Sequence, residues 1–130
     1  MRGKSSGRTA DHIYLIVVRD RVVLQDLVDT VREFDRNALV LARSNCTDAI
    51  EALKTRGRLK LAFLEAGPGC VSRSRMDVVI GDRGGKLILL GNEAESELEA
   101  DDREAQRWPL LTRPFTTQAV LRKMVWAFEH

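Results

Sequence analysis

The chain has 130 residues, enough for one domain with one core and too few for two of ordinary size. Hydrophobic residues make up 44% and charged residues 31%, the balance of a soluble globular protein, and a formal net charge of +2 is too small to argue for nucleic acid. No apolar run approaches the roughly 20 residues of a membrane span, and the basic N-terminus lacks the apolar region of a secretory signal.

Residues 1–10 are mostly Gly, Ser, Arg and Lys and read as a flexible tail, with one folded domain over 11–130. Ile13 to Val18 is a continuous β-favouring run, which means burial on both faces and suits a central parallel strand. Asp20 is placed to cap a helix whose stripe is Val23, Leu24, Leu27, Val28, Val31 and Phe34. Ala38 to Ala42 is a second short strand. Asn45 caps the next helix, with Ala49, Ile50 and Leu53 on its core face and Gly57 as its stop. A third strand runs from Leu59 to Leu64 and ends at Glu65.

Val71 to Gly85 occupies the place of a third helix, yet Val78-Val79-Ile80 beside a Gly-rich turn also has strand character. A short or irregular helix is the expectation. Leu87 to Leu90 is a fourth strand, residues 93–107 have helical composition, Trp108 to Leu111 is a fifth strand, and Phe115 to Phe128 a last helix. Strand and helix alternating through short connections is the pattern of an α/β, doubly wound, five-stranded parallel sheet.

Leu111-Thr112-Arg113-Pro114-Phe115 sits between the fifth strand and the last helix. Pro114 bars helix from the preceding residue, which holds Arg113 at the strand's C-terminal end, where open α/β sheets build their sites. The segment resembles the Lys-Pro-Phe-type turn of response-regulator receiver domains, with Arg for Lys. The resemblance covers residues 13–129 and implies a flavodoxin-like (βα)5 three-layer sandwich. It also implies a site: a phosphoryl-accepting Asp after the third strand, two Mg²⁺-holding acids after the first, a Thr or Ser after the fourth and a Lys after the fifth.

At those positions stand Arg19 and Asp20, Glu65, Gly91 and Arg113. Asp20 alone keeps the family's residue type. A guanidinium that cannot lose its proton stands where the ion would need oxygen ligands, so no metal and no other cofactor is expected. Arg19 is expected to pair with Glu65 or Asp20 as an internal salt bridge, and Arg113 to reach the carboxylate at 65 across the edge. Glu65 has two readings, a permanently charged mimic of phospho-Asp or a polar residue on an edge that does no chemistry.

Other signals are weaker. Gly3-Lys4-Ser5 has no preceding strand and half the glycines of a P-loop, and Gly81 to Gly85 is a turn rather than a phosphate cradle. His12 and His130 read as surface residues. Cys46 and Cys70 lack metal-ligand spacing and are too few for a disulfide scaffold, so both read as thiols of a reducing cytoplasm. Glu93, Glu95, Glu97, Glu99, Asp101, Asp102 and Glu104 make the fourth helix region acidic, opposed by Arg103 and Arg107. The last helix has Val120, Leu121, Met124, Val125 and Phe128 as its stripe, with Arg122 and Lys123 outward and Trp126 off the stripe.

The reading is a degenerate, stand-alone receiver domain of two-component (phosphorelay) signalling, not an enzyme, that binds protein partners without phosphorylation. Neither nucleic acid nor membrane is expected as a partner. A homodimer through the fourth helix, fifth strand and last helix is expected, with Trp126, Arg122, Lys123 and Trp108 as interface candidates. The alternatives are a phosphorylatable receiver or regulatory fragment of a longer response regulator, and a small enzyme of flavodoxin-like fold.

Overall fold

A computed structural model describes residues 12–54, 58–100, 108–113 and 115–129, except the side chains at 68 and 97–100. Five apolar runs form strands β1 (Ile13–Val17), β2 (Leu39–Arg43), β3 (Leu59–Glu65), β4 (Lys86–Leu90) and β5 (Leu110–Leu111). All pairings are parallel, and the sheet order is β2-β1-β3-β4-β5. Helices α1 (Arg21–Phe34), α2 (Cys46–Ala52), α3 (Pro68–Ser74), α4 (Met76–Asp82), α5 (Asn92–Ala100) and α6 (Thr117–Glu129) flank it. This is the doubly wound, flavodoxin-like three-layer sandwich. The expected tail at 1–10 lies outside the described residues.

Alternate residues of β1 feed two separate cores. Ile13, Leu15 and Val17 pack with Ala49, Val71, Met76, Ile80 and Ala94, while Tyr14, Ile16 and Val18 pack with Leu27, Val31, Val120, Met124 and Ala127. The period-two alternation of strand side chains therefore sends one strand into both layers. Between Ile13 and Tyr14 the register against β3 slips, so that Ile13 opposes Leu59 and Tyr14 opposes Leu61. One extra residue in β3 puts Leu59 and Ala62 in the same core.

The third helix is two short helices hinged at Arg75, whose φ of 62° and ψ of 25° are left-handed. The break follows from the positions of the apolar residues. In a continuous helix, Val71 would share its face with Arg75 and Val78. With the break, Met76 and Ile80 are buried beside Val71, and Val78 is left 44% exposed.

Several boundaries and faces differ from the sequence pattern. β2 starts at Leu39 rather than Ala38, α6 starts at Thr117, and β5 is confined to Leu110–Leu111, with Trp108 and Pro109 ahead of it. In α2 the buried residues are Ala49 and Ala52, and Ile50 is exposed. In α6 they are Val120, Met124 and Ala127; Val125 is exposed, and Phe128 stacks at 5.8 Å on Phe34 of α1. Apolar residues cover so wide an arc of α6 that two adjacent stripes were available.

His12 is a half-buried partner rather than a surface residue. Its Nδ1 lies 2.8 Å from Asp35 Oδ2, and the Tyr14 hydroxyl donates to the same oxygen at 3.0 Å. The Asn37 N–H donates to Asp35 Oδ1 at 3.0 Å. Burial, followed by the hydrogen bond to Asp35 and its charge, raises the Tyr14 pKa above its ordinary value. For Asp35, burial acts to raise the pKa, but the hydrogen bonds from His12, Tyr14 and Asn37 outweigh it and hold the carboxyl below its ordinary 3.8.

A lowered carboxyl pKa contributes stability that is complete above the unfolded-state value and is lost as pH falls through the folded one. Asp35→Asn is expected to cost about 1–3 kcal/mol at neutral pH. Urea unfolding of both proteins should show that difference shrinking below pH 3.8. A difference constant down to strongly acid pH would contradict the assignment.

Candidate functional site

Because all five strands are parallel, their C-terminal ends share one edge. In an open α/β sheet the crevice on that edge opens where the strand order reverses. Here that point lies between β1 and β3, the two central neighbours in the order. Arg19 and Asp20 follow β1, and Glu65 ends β3.

Asp20 is the N-cap of α1, and its Oδ1 accepts from the N–H groups of Val22 at 2.8 Å and Val23 at 3.2 Å. Glu65 Oε1 accepts the Arg19 backbone N–H at 2.7 Å, and Arg19 Nε stands 3.7 Å from the same oxygen. The pair lies at the surface, not inside, since the Arg19 side chain is 71% exposed. An exposed ion pair contributes about 0–1 kcal/mol. The backbone N–H to the carboxylate is the more specific of the two contacts, because it needs no side-chain ordering on Arg19.

Gly91 does more at this edge than lack a hydroxyl. Its φ is +102°, and a Cβ built there would lie 2.9 Å from Glu65 Cγ. The stem of Glu65 therefore occupies the space that a side chain at 91 would need. A left-handed φ and a close neighbour both demand glycine at this position.

Arg113 does not reach Glu65. Its Nε and Nη2 donate to Oε2 and Oε1 of Glu95, each at 3.3 Å, as a forked contact with the first turn of α5. The five site positions thus divide into Arg19, Asp20, Glu65 and Gly91 around the β1–β3 crevice, and Arg113 with Glu95 beyond it. Pro114, Asp101, Asp102, Arg103, Glu104 and Arg107 lie outside the described residues, as do the side chains of Glu97 and Glu99.

The donor set does not fit the Mg²⁺ ion that receiver chemistry uses. That ion takes near-octahedral oxygen ligands, normally including one or two carboxylates. At this edge Asp20 caps a helix, and Glu65 faces the Arg19 N–H and guanidinium. Among the described residues no group of three or more His, Cys, Asp and Glu is arranged to hold a metal.

Cys46 and Cys70 are both half-buried and pack against the same core. Trp108, an interface candidate, packs against that core too, and with Trp126 it lines a cavity of about 300 Å³. Trp126 itself is 44% exposed, with Lys123 Nζ 5.7 Å from its ring centre.

Gly91→Ala is expected to destabilise the protein by about 2–4 kcal/mol, from the left-handed φ and the overpacked contact together. Placing Glu65→Ala in the same chain should recover the contact part and leave the backbone part. Denaturant unfolding of the four proteins in a double-mutant cycle would show coupling of about 1 kcal/mol or more. Strict additivity would mean that the Glu65 stem does not set the glycine.

No protein-family model matches the chain, and no curated protein matches it. Solved structures do. The signal receiver domain of an HD domain-containing protein from Pseudomonas fluorescens Pf-5 is 22% identical, with a TM-score of 0.69 over 92% of this chain and 96% of that one. The chemotaxis response regulator CheY4 of Vibrio cholerae is 15% identical, with a TM-score of 0.67 over 90% and 98%. An adenylate cyclase from Rhodopirellula baltica is 15% identical, with a TM-score of 0.68 over 92% and 88%. Sheet order, layer arrangement and near-complete mutual coverage agree: the chain has the fold of a response-regulator receiver domain.

Proposed function

We propose that the chain is a signalling receiver domain that acts by contact with protein partners and accepts no phosphoryl group. One observation carries this reading. The carboxylate that ends β3 is committed to the Arg19 N–H at 2.7 Å, while its stem fills the space over Gly91. A phosphoryl group at this position would need a metal to neutralise its charge and a donor to hold it. The crevice offers a helix-capping carboxylate and a glycine, and Arg113 is turned to Glu95. With that chemistry missing, the domain works as a binding module and not as an enzyme. The Pseudomonas structure is the receiver domain of a larger protein, which favours a domain that regulates by docking.

The docking surface that fits is the face made by α5, β5 and α6. β5 is the last strand in the sheet order and α6 lies beside it, with Arg122, Lys123 and Trp126 lining a hollow of about 320 Å³ together with Leu110, Leu111 and Thr112. Val125 and Trp126 are each 44% exposed. A second copy of the chain, related by a two-fold axis, would cover this apolar area and bring its Arg122 and Lys123 toward the acidic first turn of α5. No described helix is long and apolar enough to cross a membrane.

Two outcomes are expected. Incubated with acetyl phosphate and Mg²⁺, neither wild type nor Glu65→Asp should be labelled in intact-mass measurements. Labelling should require Arg19→Asp, Gly91→Thr and Arg113→Lys as well, and Gly91→Thr must also move the backbone away from its φ of +102°. Efficient labelling of the single variant would contradict the proposal. Light scattering over a dilution series should show a dimer that Trp126→Ala weakens more than Lys123→Ala, since an exposed charge contributes about 0–1 kcal/mol and a buried aromatic anchor about 2 kcal/mol or more. A strict monomer at about 100 μM, where a micromolar Kd would populate the dimer, would rule this interface out.

A further inference from the structure

β5 is shorter than the strand it pairs with, and a cavity opens where it stops. β4 runs from Lys86 to Leu90, but β5 pairs only with Leu89 and Leu90. The Leu89 N–H donates to the Pro109 carbonyl at 2.9 Å, which sets Trp108 beside the first half of β4. Trp126 comes from α6 on one face of the sheet, and Asp77 and Ile80 come from α4 on the other. Between them lies the cavity of about 300 Å³, which reaches both layers around the open edge of β4. Pockets that hold small ligands begin at roughly this size.

The lining points to one class of ligand. Both tryptophans of the chain line this cavity, with Ile80 and Leu87 beside them. Asp77 is half-buried, and among the described residues its carboxylate takes part in no hydrogen bond or ion pair. A carboxylate held partly out of water, with no partner, gains most from a charged donor. Lys86 also lines the cavity, but it is exposed and forms no ion pair with Asp77. Its flexible stem lets the ammonium stay in water. Indole rings favour offset or edge-on contact with another aromatic ring, and their faces also attract a cation.

We propose that this cavity binds a small aromatic amine in its ammonium form, with the ring against Trp108 and Trp126 and the ammonium on Asp77. A neutral ring of the same shape would leave Asp77 without a partner, and an aromatic acid would bring like charge to it. Trp126 also lines the hollow on the face made by β5 and α6. An occupant of the cavity would therefore act on the docking face and give the domain a small-molecule input. That last step rests on the proposed docking, whereas the cavity and its ligand do not.

The test is a shift titration of the ¹⁵N-labelled full chain with phenethylamine, its neutral isostere phenethyl alcohol, and hydrocinnamate. With two tryptophans, the indole N–H region reads the cavity directly. Phenethylamine should move both indole signals and the Asp77 amide saturably, with a constant of about 1 mM or lower, and the alcohol should bind about tenfold more weakly. Asp77→Asn should remove that tenfold advantage and leave the alcohol unchanged, while Lys86→Gln should leave amine binding intact. A melting temperature near wild type would show that each variant is folded. Equal binding of amine and alcohol, preference for hydrocinnamate that Lys86→Gln abolishes, or no saturable indole shift would overturn the site. Light scattering with saturating amine should show an altered dimer constant. An unaltered constant would overturn the link to docking, and a chain that stays monomeric would sink the docking reading, while the shift titration decides the cavity in either case.

Discussion

Burial of β1 and β3 on both faces is the constraint on which the rest of the molecule depends. Ile13 to Val18 are all 4% exposed or less, and Leu61 to Leu64 are fully buried. A strand with no wet face needs a helical layer on each side and a paired neighbour on each edge, and parallel crossovers provide both. Once the strands are parallel, their C-terminal ends line up. Residues that follow them meet whatever their individual chemistry. Arg19, Asp20, Glu65 and Gly91 are brought together by topology, and the reversal of order between β1 and β3 is what opens a crevice there.

Within that crevice, Glu65 and Gly91 depend on each other. A glutamate is one methylene longer than an aspartate. Here the extra length is accommodated because residue 91 has no Cβ and adopts a φ of +102°. The same carboxylate then reaches back to the Arg19 N–H. Residues far apart along the chain thus form one packed arrangement around the Glu65 carboxylate.

Much of this was legible in the sequence. Continuous apolar runs marked the central strands, and Asp20 and Asn45 each had the residue type and position of the caps they form. The site positions followed from strand ends. What stayed hidden depended on tertiary phase. The apolar arc of α6 admits two stripes, and only packing against β4, β5 and α1 selects Val120, Met124 and Ala127. The hinge at Arg75 re-phases a helix in a way that a periodic pattern cannot signal, because arginine is not a usual left-handed residue. The partner of Arg113 turned on the reach of Glu95 from α5, 18 residues earlier. The pairing of His12 with Asp35 joins residues 23 positions apart, for which spacing has no rule.

The central claim is that the edge above β1 and β3 is a closed arrangement of this chain's own groups, with no place for a metal and a phosphoryl group. The most direct measurement is an amide chemical-shift titration of the ¹⁵N-labelled protein, first with millimolar Mg²⁺ and then with Mg²⁺ and beryllofluoride, a phosphoryl mimic. The account predicts no saturable shifts at Arg19, Asp20, Glu65 or Gly91 in either series. Saturable binding at these residues with a sub-millimolar constant would contradict it.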